Sequence, residues 1–143
     1  MNFFKPKFWD QTKLSYFSII LFPVSLIFKL INFIKYYFSK NYRSKIPVIC
    51  VGNIYLGGTG KTPMCVEIFT ILKNLNKNPA FIRKKYHSFN DEAELQKSIG
   101  SFYQNKKRIE AIKEATENKA DIVILDDGFQ DFSIYKNLSI VCF

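Results

Sequence analysis

The sequence has one histidine, His87, and three cysteines, Cys50, Cys65 and Cys142. The cysteines share no metal-ligand spacing and form no disulfide framework; an odd count lying in apolar runs fits buried thiols in a reducing compartment. His87 stands in a basic polar stretch without partners and reads as a surface residue. Acidic residues are also scarce, 12 against 21 Lys and Arg, for a net charge of +9. The imbalance is local. Residues 1–45 hold eight Lys/Arg against Asp10 alone, a net of +7, which leaves +2 for residues 46–143. A globular part so nearly neutral argues against a nucleic-acid binder, whose charge would sit on the folded domain. Glycine is sparse as well, six in 143 residues, yet Gly52, Gly57, Gly58 and Gly60 fall within nine positions.

Those glycines mark the stretch Cys50-Val51-Gly52-Asn53-Ile54-Tyr55-Leu56-Gly57-Gly58-Thr59-Gly60-Lys61-Thr62-Pro63. An apolar run from Pro47 to Val51 ends at Gly52, and Gly60-Lys61-Thr62 opens an amphipathic helical pattern. This is the layout of a phosphate-binding loop: glycines let backbone N–H groups turn towards phosphate oxygens, and the helix N-terminus adds partial positive charge. Lys61 would meet the β- and γ-phosphates of ATP, and the Thr62 hydroxyl would ligate Mg²⁺. Gly57, Gly58, Thr59, Gly60, Lys61 and Thr62 are therefore the candidate nucleotide-binding set. The strict G-x-x-x-x-G-K-[ST] pattern would place a glycine where Tyr55 stands. The bland alternative is a glycine-rich strand-to-helix turn.

Before the loop, Leu14 to Phe28 runs 15 residues without a charge, and Leu30 to Ile34 continues beyond Lys29. A full membrane span needs about 20 predominantly apolar residues, so Lys29 and Pro23 weigh against one. Ser15, Ser18, Ser25, Lys29, Asn32, Tyr36 and Ser39 recur as one helical stripe opposite Leu, Ile and Phe. Lysines flank both ends and set no orientation. Residues 1–45 are read as a membrane-associating helix with basic flanks, lying in an anionic interface ahead of spanning it.

Residues 46–143 are read as one α/β nucleotide-binding domain. Strands are expected at Pro47–Val51, Ala80–Ile82, Ile122–Leu125 and Leu138–Phe143, and helices at Lys61–Asn76, from Asn90 onward, and at Lys106–Asn118. Arg83-Lys84-Lys85-Tyr86-His87 reads as a basic loop. Alternating strands and helices imply a P-loop NTPase-like, mostly parallel sheet flanked by helices, with ligands at the carboxyl ends of the strands. The sequence stops within an apolar run that reads as a buried central strand. The expectation is an N-terminal portion whose C-terminal half is missing. Asp126-Asp127 ends an apolar strand, as a Walker-B-like carboxylate pair does, and both are candidate Mg²⁺ residues. In strand geometry the two side chains would face opposite ways. Asp91 opens a helix whose acidic first turn suits the helix dipole, so plain capping accounts for it on the residues alone.

Val51-Gly52-Asn53, Gly57-Gly58-Thr59-Gly60-Lys61-Thr62-Pro63 and Leu125-Asp126-Asp127-Gly128-Phe129-Gln130 together resemble the tetraacyldisaccharide 4'-kinase family, the lipid A pathway kinases of Gram-negative bacteria. That family's loop likewise lacks the first Walker glycine. The resemblance implies phosphoryl transfer from ATP, with Mg²⁺, to the 4'-hydroxyl of an acylated disaccharide 1-phosphate at the cytoplasmic face of the inner membrane. It implies Asp91 as the base, because the family's Gly-Asp-Glu-Pro motif falls on Asn90-Asp91-Glu92-Ala93. Lys61 and Asp127 join it as catalytic residues, and Arg108 becomes a substrate-phosphate contact. The family's Ser-Arg-Gly-Tyr segment appears here as Arg83-Lys84-Lys85-Tyr86, and Asp131 stands where His is usual. A membrane-attached nucleotide switch and an inactive fragment that only binds nucleotide are the other readings of the same residues.

Overall fold

The structure, a computed structural model, describes residues 16–39, 41–53, 60–85 and 91–142, with side chains from Ile19 in the first helix and from Glu92 in the third. Gly57, Gly58 and Thr59 of the expected loop lie outside the described residues, as do Tyr86 and His87. The chain divides into two compact units, Met1–Ser39 and Lys40–Phe143.

In the first unit, α1 (Tyr16–Phe38) is a helix of 23 residues with Pro23 inside it. Its window Ile19–Phe38 is long and apolar enough to cross a membrane and is 0% buried. Large apolar side chains from Ile19 to Phe38 are all exposed.

The second unit is built on β1 (Val48–Asn53), β2 (Pro79–Lys84), β3 (Phe102–Asn105), β4 (Ile122–Asp126) and β5 (Leu138–Cys142), in sheet order β3-β2-β4-β1-β5. Every pairing is parallel. Parallel strands are joined by helical crossovers that cover both faces, which is why β1 and β4 read as unbroken apolar runs. The helices are α2 (Lys61–Asn74), α3 (Asp91–Ile99) and α4 (Arg108–Glu117). Successive side chains on a strand alternate faces, and the core splits accordingly. Val48, Cys50, Ala80, Ile82, Val123 and Leu125 pack with Ala111, Ile112 and Ala115 of α4. Val51, Phe81 and Ile124 pack on the opposite face with Cys65 and Phe69 of α2. The Phe69 and Phe81 rings stack at 4.5 Å between centroids. All three cysteines are free and buried, and burial pushes the Cys50 and Cys65 thiols up.

The sheet has one strand more than the sequence pattern offered. β3 is only four residues long and half-buried throughout; it is held by backbone pairing to β2, Phe81 opposite Phe102 and Lys84 opposite Asn105. That pairing also draws Arg83 and Lys84, expected in a loop, into the strand. β5, expected as a buried central strand, lies at the edge of the described sheet with Leu138 51% exposed.

Candidate functional site

β1 and β4 are neighbours in register, Val51 opposite Asp126, so the segment leading to the glycine stretch and the acidic pair end at the same edge. Open parallel sheets bind ligands at the carboxyl ends of their strands. Gly60, the N-cap of α2, adopts φ 71 and ψ 19. This left-handed conformation is cheap for glycine and strained for residues with a Cβ. Its carbonyl accepts the Met64 N–H at 3.0 Å. Among the described residues no side chain caps the helix start, and Pro63 has no N–H to satisfy. The amides of Lys61 and Thr62 are thus the first-turn donors, with the positive end of the helix dipole behind them.

Lys61 Nζ donates to Asn53 Oδ1 at 3.1 Å and lies 3.4 Å from Asp127 Oδ1. The expected lysine and the expected carboxylate therefore meet, and Asn53, the last residue of β1, joins them. Thr62 is 7% exposed. The two aspartates differ sharply. Asp126 is 3% exposed, whereas the Asp127 side chain is 63% exposed. They diverge, but not by the alternation of a strand: the strand stops at Asp126 and Asp127 takes φ 56. Two bonds hold this turn, the Asp127 N–H to the Val51 carbonyl at 2.9 Å and Arg108 Nη2 to the Asp127 carbonyl at 2.8 Å.

Asp126 Oδ2 accepts from Gln96 Nε2 at 3.1 Å and pairs with Arg83 Nη1 at 3.4 Å. Burial pushes its carboxyl above the usual carboxylate range, and Arg83 and Gln96 offset this only in part. Arg108, expected as a phosphate contact, is 7% exposed and turns inward; besides the Asp127 carbonyl it reaches Asp131 Oδ2 at 3.3 Å. Asp91 begins α3; its side chain lies outside the described residues.

Among the described residues no group of three or more His, Cys, Asp and Glu is placed to hold a metal ion. The donors at hand, the Thr62 hydroxyl and the carboxylates of Asp126 and Asp127, still fit Mg²⁺. That hard dication takes oxygen ligands, commonly one or two carboxylates with water and substrate phosphates completing the shell.

Three residues of this region were not foreseen. Arg83 and Gln96 flank Asp126, and Asn53 engages Lys61. A charged residue at the carboxyl end of an apolar strand was the available signal for Arg83. For Gln96 it was the helical spacing from the apolar Ala93, three residues earlier, which turns position 96 inward.

The family model described as "LpxK: Tetraacyldisaccharide-1-P 4'-kinase" matches residues 17–101 and 90–143. A relative named tetraacyldisaccharide 4'-kinase from Pelagibacter ubique is 47% identical over 143 residues, 100% of this chain and 45% of its own length. Another of that name from Campylobacter jejuni (strain 81-176) is 32% identical over 94% of this chain and 48% of its own. A crystal structure of LpxK from Aquifex aeolicus, titled an "apo" form in complex with ATP, matches with a TM-score of 0.68 at 28% identity, over 85% of this chain and 47% of that one. The chain spans about half the length of the relatives it matches.

Proposed function

Because the chain belongs to the tetraacyldisaccharide 4'-kinase family, we propose that it is the nucleotide-binding part of a lipid kinase. This kinase transfers the γ-phosphoryl group of ATP to the 4'-hydroxyl of an acylated disaccharide 1-phosphate in lipid A biosynthesis. The observation that carries this reading is the meeting of Lys61 with Asp127 at the start of α2. Phosphoryl transfer is catalysed chiefly by positioning and by charge neutralisation. The α2 N-terminus and the Lys61 ammonium bind the phosphates. Asn53 holds that ammonium over the site. Thr62, Asp126 and Asp127 would hold Mg²⁺, which neutralises charge on the phosphate oxygens. Arg108 fixes the backbone of Asp127. Asp91 is proposed as the base that takes the proton of the sugar hydroxyl. The helix α1, exposed and long enough to enter a bilayer, places the unit at a lipid surface, in this reading the cytoplasmic face of the inner membrane.

The test is ATP-dependent phosphorylation of tetraacyldisaccharide 1-phosphate in vesicles, wild type against Lys61→Ala. Removing the ammonium is expected to lower kcat by about 10²–10³, the scale for losing one transition-state charge contact, with vesicle attachment unchanged. Wild-type turnover by Lys61→Ala would sink the assignment. ATP consumption driven by a protein partner and indifferent to the lipid would point to a nucleotide switch.

A further inference from the structure

Arg83 sits at the carboxyl end of β2, beside β4, with its side chain 12% exposed between two carboxylates. Nη2 donates to Glu92 Oε2 at 2.6 Å, and Nη1 lies 3.4 Å from Asp126 Oδ2. Glu92 is the residue after Asp91, in the first turn of α3. Four residues on, the wholly buried Gln96 donates to the same Asp126 oxygen at 3.1 Å. One helix is thus tied to one strand end twice, through a guanidinium and through an amide.

We infer that Arg83 is a positioning residue of the phosphoryl-transfer site, a strut that fixes the Asp91-bearing turn of α3 against Asp126, with Gln96 as the second tie. The inference rests on the kinase reading for its purpose and on this geometry for its substance. Three details favour a strut over a filler. Among the described residues, Arg83 Nη1 and Gln96 Oε1 are buried without a hydrogen-bond partner, a cost that an apolar pair of the same size would avoid. One guanidinium faces two carboxylates, so the cluster keeps a net negative charge beside the proposed cation position. The planar fork lets a single side chain address both acids at once, which a lysine cannot do with the same geometry.

The experiment uses the full chain in detergent or vesicles and reads amide hydrogen exchange together with the Mg²⁺ dependence of ATP binding. For Arg83→Gln the expectation is about tenfold faster exchange in the first two turns of α3, the scale for losing one charged hydrogen bond. Exchange in β1 and α4 should stay at wild-type rates, and the Mg²⁺ midpoint for ATP binding should shift several-fold. Arg83→Lys should restore the Mg²⁺ midpoint more than the α3 protection. Glu92→Gln, at an exposed position that should fold whatever Arg83→Gln does, should loosen α3 and leave the Mg²⁺ midpoint alone. Wild-type α3 exchange in both Arg83→Gln and Glu92→Gln would overturn the strut. So would a uniform rise in exchange across the sheet in Glu92→Gln. The expected exchange pattern in the two variants, found together with a wild type whose ATP turnover the lipid disaccharide does not stimulate, would support the strut and count against the kinase reading.

Discussion

A side chain on Gly52 would overlap the Phe129 ring, so the end of β1 and the turn that follows β4 approach each other only because position 52 has none. In the sequence Gly52 only ends the apolar run ahead of the glycine stretch, whereas its role in the structure is steric: it admits the aromatic that follows Asp127 and Gly128. We expect Gly52→Ala to destabilise the α/β unit by about 1–3 kcal/mol, the cost of overpacking a tight contact. Phe129→Leu alone should cost about 1 kcal/mol. The double variant should be more stable than the sum of the two predicts, because the smaller side chain makes room for the methyl group. Urea unfolding of the four proteins measures the coupling; strict additivity would mean that the ring simply swings aside. Gly60 is the opposite case. A Cβ there meets nothing within 4 Å among the described residues, and what favours glycine is its positive φ.

At the scale of elements, the connection from β4 to β5 is held by one carboxylate. Asp131 Oδ1 accepts from the Ser133 N–H at 3.2 Å and from the Ser133 hydroxyl, while Oδ2 faces Arg108. Lys136 closes the same loop by donating to the carbonyls of Phe129 and Asp131. Burial works against the charged form of Asp131, but the Ser133 and Arg108 contacts outweigh it and hold the carboxyl below the usual range. A folded pKa below the unfolded one gives stability that is present above the unfolded value, about 3.9, and lost as pH falls through the folded value. Wild type should therefore exceed Asp131→Asn in stability by a constant margin near pH 6, and that margin should shrink as pH drops below about 4. Thermal melts across pH 3–7 would show it, and a pH-independent margin would assign the effect to shape. The same loop shows what the chain's pattern could reveal. β1, α2, α4 and β4 were legible because each carries an unbroken apolar run or a clean helical repeat. β3 was not, since Tyr103, Gln104 and Asn105 carry no such signal and owe their strand to pairing with β2. Arg83 looked like loop because two lysines follow it. The meeting of Lys61 with Asp127 was legible in outline from motif order, but the left-handed turn at Asp127 depends on Arg108 and Val51, partners far away in sequence.

For the whole molecule, the question is what the two units contribute separately to attachment. The helix α1 has 23 residues, about 35 Å at 1.5 Å per residue, against a hydrocarbon core of about 30 Å. Its large side chains are exposed on every side, although Lys29 and Lys35 lie within it. Residues 40–143 form a compact unit of their own. If apolar burial attaches the protein, attachment resists salt, because the hydrophobic effect is not screened. If the basic flanks of α1 attach it, attachment fades once the Debye length falls to about 3 Å in 1 M salt. We expect the full chain to float with vesicles containing anionic lipid and to remain bound in 1 M salt, with only its initial rate of binding reduced. A chain of residues 40–143 should stay in solution while still binding Mg²⁺ and ATP, since Lys61, Thr62, Asp126 and Asp127 all belong to that unit. Flotation at low and high salt, with ATP binding measured on both forms, separates the possibilities. Release of the full chain by salt would make α1 a charged surface contact, and loss of ATP binding without α1 would show that the nucleotide site needs the helix.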